Sequence, residues 1–530
     1  MPLLVLGVFF VLPVVAMISR GFFDGGSFDP GAVAAVLGRP RIHRVLWFTL
    51  WSASAGTALS LALGLPAAHV LYRLDFWGRD LLRALVVVPF VLPTVVVGVA
   101  FRELIGGGGL LAGLGLDGSP VAIVAGLVFF NVSVVVRIVG SAWAALDPRA
   151  AQAAAGLGAS PMQVLRTVTL PALRPAIVSA ASVVFLFCAT AFGVVLTLGG
   201  LRYASVETEI YLLTTNLLDL QGAAALSILQ LVVVLGLLLV AGRARRTPDA
   251  VVARDVSRRH RPRREDLPAV ALTGLLVVFV ATPLLTLVNG SLHADGRWTL
   301  ANYRGLGRAG DTLTASVVDA LVTSLRTAVD ATWMSLLLGL SVSFLVTRRS
   351  RSRAERRART VLDGFFMLPL GVSAVTLGFG FLIALGRPPL DLRESPLLVP
   401  VAQALVALPL VVRTIAPVLA GVDPRLREAA ASLGAGPLRA VLTVDLPALW
   451  RPLLAATGFA FAVSLGEFGA TSFLARDAHP TLPVVIYRLL SHPGAADYGR
   501  ALAASVVLAA SVAVVMAVVD RLRVRGVGAF

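Results

Sequence analysis

Apolar runs long enough to cross a lipid bilayer recur along the whole chain, and they limit its fold more than any other feature. A hydrocarbon core of roughly 30 Å takes about 20 apolar residues as a helix. Inside it only helices and closed barrels leave no backbone group unpaired. Such runs lie near 2–18, 46–72, 81–101, 121–141, 176–199 and 223–241. A second set lies near 268–288, 314–347, 360–385, 397–419, 452–474 and 499–519. The pattern predicts an all-α polytopic membrane protein with about 12 transmembrane helices in two six-helix halves. Composition agrees, because only 14% of residues are charged, against about 25% in soluble domains, and the mean hydropathy is +0.86. The first run lacks a basic flank and a small-residue cleavage site, so it reads as an uncleaved helix rather than a signal peptide.

Charge orients the helices. The sequence contains no lysine, and its 46 basic residues are all arginine, giving a net charge of +17. They cluster between apolar runs, as membrane topology requires and nucleic-acid binding does not. With the N-terminus in the cytoplasm, the inner segments hold Arg73, Arg79 and Arg83, seven arginines between 348 and 359, and Arg521, Arg523 and Arg525. The opposite loops hold Asp24, Asp29, Glu103, Asp117, Glu207, Glu209, Asp219, Asp391 and Glu394. This positive-inside asymmetry predicts a multi-pass protein of the cell membrane with both termini cytoplasmic. Residues 19–44 run against it with four arginines. Residues 1–242 form the first half, 243–266 a basic linker with nine arginines, and 267–530 the second half. The linker is either a binder of anionic lipid or a solvated charge run that obeys topology.

The halves share one loop between their fourth and fifth spans. Asp147 to Leu173 aligns without gaps on Asp423 to Leu449, 276 residues further on, with 16 of 27 positions identical. Apolar helices need only apolar residues and drift freely, so identity concentrated in a loop suggests that both loops meet similar surfaces. Asp-Pro at 147–148 and 423–424 is a helix start, with Asp as N-cap and Pro at the first helical position. The alanine-rich stretches 152–155 and 428–431 favour helix and let a partner approach closely. Gly158 and Gly434 are placed to stop that helix in the left-handed conformation. A second short helix is expected to run to Leu170-Pro171 and Leu446-Pro447, where proline turns the chain back into the membrane.

Glu428, Ala429, Ala430, Gly434, Leu446 and Pro447 together resemble the signature loop of permeases in binding-protein-dependent ATP-binding-cassette importers. The first copy matches at Ala153, Ala154, Gly158, Leu170 and Pro171, with Gln152 where the family usually has glutamate. The resemblance implies a duplicated MetI-like permease fold whose 147–175 and 423–452 loops are coupling helices seated in ATPase subunits. It also implies two ATPase copies carrying ATP and Mg, and an extracytoplasmic solute-binding protein or lipoprotein. No cofactor is then held by this chain. Residues 192–200 with 207–211, and 464–470 with 481–487, are similar to the fused permeases of thiamine and iron(III) importers, so either cargo is implied. The N-terminal start is shorter than that resemblance implies.

In that family the fifth span of each half lies near the translocation path, which makes Phe192, Gly193, Glu467, Phe468 and Gly469 its candidates. Glu467 has Ala191 as its counterpart in the first half, and an ionisable residue in a span usually faces a cavity or a partner. A carboxylate suits a cationic cargo; the competing reading is a structural carboxylate near the outer interface. Gly193 and Gly469 suit close helix packing. Arg137 and Arg413 either tether the loop, cap a helix end or snorkel to lipid phosphate. Gly106 to Gly109 read as an outer loop, and Cys188 as a packing residue.

Other functions are excluded or left with little support. A lone cysteine forbids an internal disulfide, and six scattered histidines offer no metal-ligand spacing. Without lysine the chain carries no P-loop, so it is not an ATPase. The main rival is a major-facilitator secondary transporter, which also has twelve spans. The 72–80 loop matches its signature poorly, and it leaves the paired loops unexplained. A non-transporting membrane anchor is the third reading.

Overall fold

A computed structural model describes residues 2–524 except 25–26, 29, 201, 245–258, 295, 309–313, 348–351, 354, 356, 358–361, 363, 367, 387–389 and 493. Most of the basic linker, part of the 348–359 arginine run and Arg525 lie outside the described residues.

Ten described helices are long and apolar enough to cross a membrane, and a bent pair makes up to eleven. The third predicted span is that pair: Arg79–Val91 and Thr94–Ile105 meet at 107°. The apolar run over 81–101 is therefore two helices meeting at a bend rather than one continuous helix. Pro89 removes a ladder donor, and Pro93 pushes Leu92 into extended backbone (φ −70°, ψ 139°), which ends the helix. Its counterpart in the second half is described as the shorter helix Ala374–Ala384, capped by Ser373, whose hydroxyl accepts from the Thr376 N–H at 3.0 Å. Two-residue hairpins pairing Phe23–Asp24 with Ser27–Phe28, and His293–Ala294 with Arg297–Trp298, follow the first span of each half.

The fifth spans depart from expectation at both ends. Each is one helix from the loop inward, Pro161–Ala189 and Pro437–Leu465. Leu170-Pro171 and Leu446-Pro447 do not turn the chain. A π turn, Leu165–Thr169 or Val441–Asp445, precedes each proline, and the Leu170 and Leu446 N–H groups bond five residues back. The wider turn accommodates the proline ring, so the helix runs on. At the other end each helix breaks, and a separate short one follows, Gly193–Gly199 or Thr471–Leu474.

The chain forms two compact units, and they differ from the sequence halves in the placement of the first spans and of residues 210–228. One unit comprises 1–33, 210–228 and 300–530; the other comprises 34–209 and 229–299. In the former, Leu6 and Phe10 of the first span lie in a core with Phe366, Leu377, Phe381, Leu405 and Leu408. In the latter, Phe279 of the seventh span packs edge-to-face on Phe101 and Phe129 at 6.1 and 6.2 Å between ring centroids. Lipid tails are as apolar as leucine, so within each unit close packing carries association rather than escape from water. The second and fourth spans of each half show it at equivalent positions. A Cβ on Gly64 would come within 2.6 Å of Val135 Cγ1, and one on Gly339 within 2.5 Å of Val411 Cγ1.

Candidate functional site

The two loops fold alike, and each step follows from local chemistry. Asp147 and Asp423 accept from the Arg149 and Arg425 N–H groups at 2.9 Å, capping helices Pro148–Gly156 and Pro424–Ser432. Both helices end in the same double closure. The Ala159 N–H reaches Ala154 O at 3.1 Å and the Gly158 N–H reaches Ala155 O at 3.0 Å. In the repeat, Ala435 to Ala430 O and Gly434 to Ala431 O are both 2.9 Å. This closure needs a left-handed residue, and Gly158 (φ +88°) and Gly434 (φ +79°) supply it.

Neither helix has a buried residue. Ala151, Ala154, Arg427 and Ala430 are half-buried, so one narrow face rests on the protein. Gln152, Ala153, Glu428 and Ala429 are exposed, as are Gly158, Gly434, Pro171, Leu446 and Pro447; Leu170 is half-buried. At the cap of each helix a leucine stands almost wholly clear: Leu157 is 90% exposed and Leu433 87%. Each loop thus presents an alanine-smooth, capped helix with an apolar residue beside it that none of the described residues covers. Both loops present it at the same register. Arg137 and Arg413 lie two turns or less from the ends of Pro120–Ala144 and Leu398–Ala420, ahead of the loops.

The five path candidates sit at the breaks of the fifth spans. Phe192 and Phe468 are buried, and Phe468 packs on Tyr487 at 5.5 Å. Glu467 is buried with both carboxylate oxygens occupied by its own chain: Oε1 accepts from the Ala470 N–H at 2.7 Å and Oε2 from the Thr471 N–H at 3.0 Å. It thereby caps Thr471–Leu474 and satisfies donors that the break would orphan. A Cβ on Gly193 would meet Thr94 Cβ and Val95 N, both at 3.1 Å; one on Gly469 would meet Ala374 Cβ at 3.0 Å and Val375 N at 3.2 Å. In both halves this glycine therefore lets the break press on the start of a short helix, Thr94–Ile105 or Ala374–Ala384.

Three features escaped the sequence reading. After each break comes another helix, Val206–Thr215 or Leu482–Ser491, whose first N–H is held by a hydroxyl of the second span. Val206 donates to Thr49 Oγ1 at 3.0 Å, and Leu482 to Ser324 Oγ at 2.7 Å. The first copy is further held by Arg41, which grips Glu209 with Nε at 2.5 Å and Nη2 at 3.0 Å. The third is an ion pair in the second loop, Arg427 to Asp445, taken up below. Only partners far apart in sequence identify these contacts. The described residues include no cluster of histidine, cysteine or carboxylate side chains suited to a metal ion.

Comparison with known proteins bears on the same regions. The profile of the family described as "Binding-protein-dependent transport system inner membrane component" matches residues 60–246 and again 335–525, one loop in each match. A thiamine transport system permease protein of Brucella abortus is 29% identical over 511 residues, covering 94% of this chain and 90% of its own. The Escherichia coli protein of the same description is 29% identical over 462 residues, covering 84% and 83%. A ferric transport system permease protein of Actinobacillus pleuropneumoniae is 25% identical over 495 residues, covering 88% of this chain and 69% of its own.

Proposed function

The chain belongs to the family of binding-protein-dependent transport system inner membrane components, and from that premise we propose that its two loops each dock an ATPase subunit while its helices carry thiamine, or alternatively iron(III), inward. The observation that carries this reading is the pair of capped, exposed helices 148–156 and 424–432, alike in register and caps. A separate engine docking twice needs two like surfaces, and a secondary carrier needs none. The major-facilitator alternative has no comparison behind it.

In this mechanism an extracytoplasmic binding protein delivers cargo to the side opposite the loops. Two ATPases close on ATP and pull on helices 148–156 and 424–432. Each helix is joined to a fifth span that runs unbroken from Pro161 to Ala189 or from Pro437 to Leu465, so a pull moves the span as a rod. The far end of each rod is the break packed by Gly193 or Gly469, where a path would open or shut. Both loops and both termini then face the cytoplasm, the side that the arginine distribution favours. ATP and Mg belong to the partners.

Thiamine is placed first because the thiamine permeases match at 29% identity over up to 94% of this chain, against 25% for the ferric one. Uptake of labelled thiamine and of iron(III) by cells expressing this chain with a co-expressed ATPase and binding protein tests the reading. Uptake that stops on ATP depletion and survives collapse of ion gradients is expected. Uptake driven by an ion gradient without an ATPase would return the chain to the secondary carriers.

A further inference from the structure

The two loops agree in backbone but are fixed to the spans differently. Arg427 lies on the half-buried face of helix Pro424–Ser432. It reaches across the loop to Asp445, with Nε at 2.8 Å and Nη2 at 2.7 Å from the same Oδ1. Asp445 closes the π turn that leads into the fifth span of that half, and its side chain is only 4% exposed. One end of the pair is therefore on the helix and the other on the rod. The equivalent positions of the first loop are Ala151 and Thr169, which carry no charge. That loop has a local device instead. Ser160 and Gln163 form a capping box, with the Ser160 N–H on Gln163 Oε1 at 2.7 Å. The box spans four residues and does not join helix 148–156 to its span. The second loop has Gly436 and Arg439 at those positions.

We infer that Arg427 and Asp445 form a strut that makes the second loop a stiff lever, while the first remains compliant. The inference rests on the docking reading for its function, though the strut stands on the contacts alone. Two donors on one shielded oxygen fix the separation of helix and span, and a displacement of helix 424–432 that withdraws Arg427 would break both bonds. Breaking the pair would leave Asp445 buried without its partner, which strongly opposes such motion. Arg427 and Asp445 are thus positioning residues. Through them a displacement of the docked helix reaches the span by a charged link as well as by packing, whereas helix 148–156 only packs on the turn 165–169 and has no such link among the described residues. The halves of a duplicated transporter would then share the stroke unequally, with the second leading.

Hydrogen exchange on the full chain in nanodiscs tests the strut itself. Amides of 425–432 should exchange about tenfold more slowly than those of 149–156, the factor expected of a charged hydrogen bond to one buried carboxylate from a half-exposed guanidinium. The double variant R427Q/D445N, which leaves no lone buried charge, should erase the difference, and the swapped pair R427D/D445R should restore it. Equal exchange in the unaltered chain, or a difference that survives R427Q/D445N, overturns the strut. In the complex with the ATPase, R427Q/D445N should raise ATP hydrolysed per cargo molecule severalfold at unchanged ATPase capture, with recovery in the swap. Unchanged stoichiometry with full capture overturns the coupling role. Absence of ATPase capture by the unaltered chain refutes the docking reading, and the exchange data still decide the strut.

Discussion

Replacing Gly434 with alanine isolates one physical effect in the proposed docking element. The residue has φ +79°, and a Cβ built on it meets nothing within 4 Å. The substitution therefore causes no clash, and its whole effect is the cost of holding an L residue in the left-handed region. That cost is about 1–2 kcal/mol, which shifts a local equilibrium by about 5–30-fold. The closure from Gly434 to Ala431 and from Ala435 to Ala430 would loosen by that factor, and with it the direction in which Leu433 points. Insertion does not depend on this turn, since no residue of helix 424–432 is buried. Uptake per permease, with membrane abundance read by immunoblot, should fall several-fold in Gly434→Ala. Gly434→Asn should recover much of it, because asparagine tolerates the left-handed region better than alanine does. Full uptake by the alanine variant, or no difference between alanine and asparagine, would refute the claim that this turn geometry transmits force.

Four further outcomes follow. Glu428→Ala, on the exposed face, should weaken ATPase capture and leave membrane abundance unchanged, as read by co-purification. Glu467→Gln keeps one acceptor and turns an NH2 onto the other buried N–H, so the unfolding midpoint should fall, on the order of 1–3 kcal/mol of local stability; an unchanged apparent KM for cargo agrees with a structural carboxylate, and a large rise would place Glu467 in the path. Gly339→Ala forces its Cβ against Val411, whose χ1 is stiff, so thermal unfolding should show a loss of about 1–3 kcal/mol. Asp423→Ala removes an N-cap worth about 0.5–2 kcal/mol, and amide exchange across 424–427 should speed up accordingly.

What the sequence revealed and what it hid divide along the range of the interactions. Helices 148–156 and 424–432 were legible down to their caps, because Asp-Pro at one end and glycine at the other act within a few residues. Spans were legible as apolar runs, yet their breaks were not. Pro93 bends a span while Pro171 does not, and the difference lies in the π turn ahead of Pro171, which no residue pattern announces. In sequence Glu467 carried two readings, path and structural carboxylate, because its charge within a span is visible there, whereas the two N–H groups that donate to it are placed only once the helix has broken. The exchange of first spans between the compact units depends on contacts hundreds of residues apart, such as those of Phe10 with the core around Phe381. The Arg427–Asp445 pair was hidden for the same reason on a smaller scale.

Cysteine cross-linking at the two exposed leucines tests the docking of an engine on both loops most directly. The only native cysteine, Cys188, is buried, so a thiol placed at position 157 or 433 reacts against a silent background. Leu157→Cys and Leu433→Cys should each cross-link to an ATPase subunit in membranes of the assembled transporter, and neither should react with a membrane-impermeant maleimide in intact cells. Labelling of either thiol from outside, or failure of both to reach any ATPase, would contradict the account.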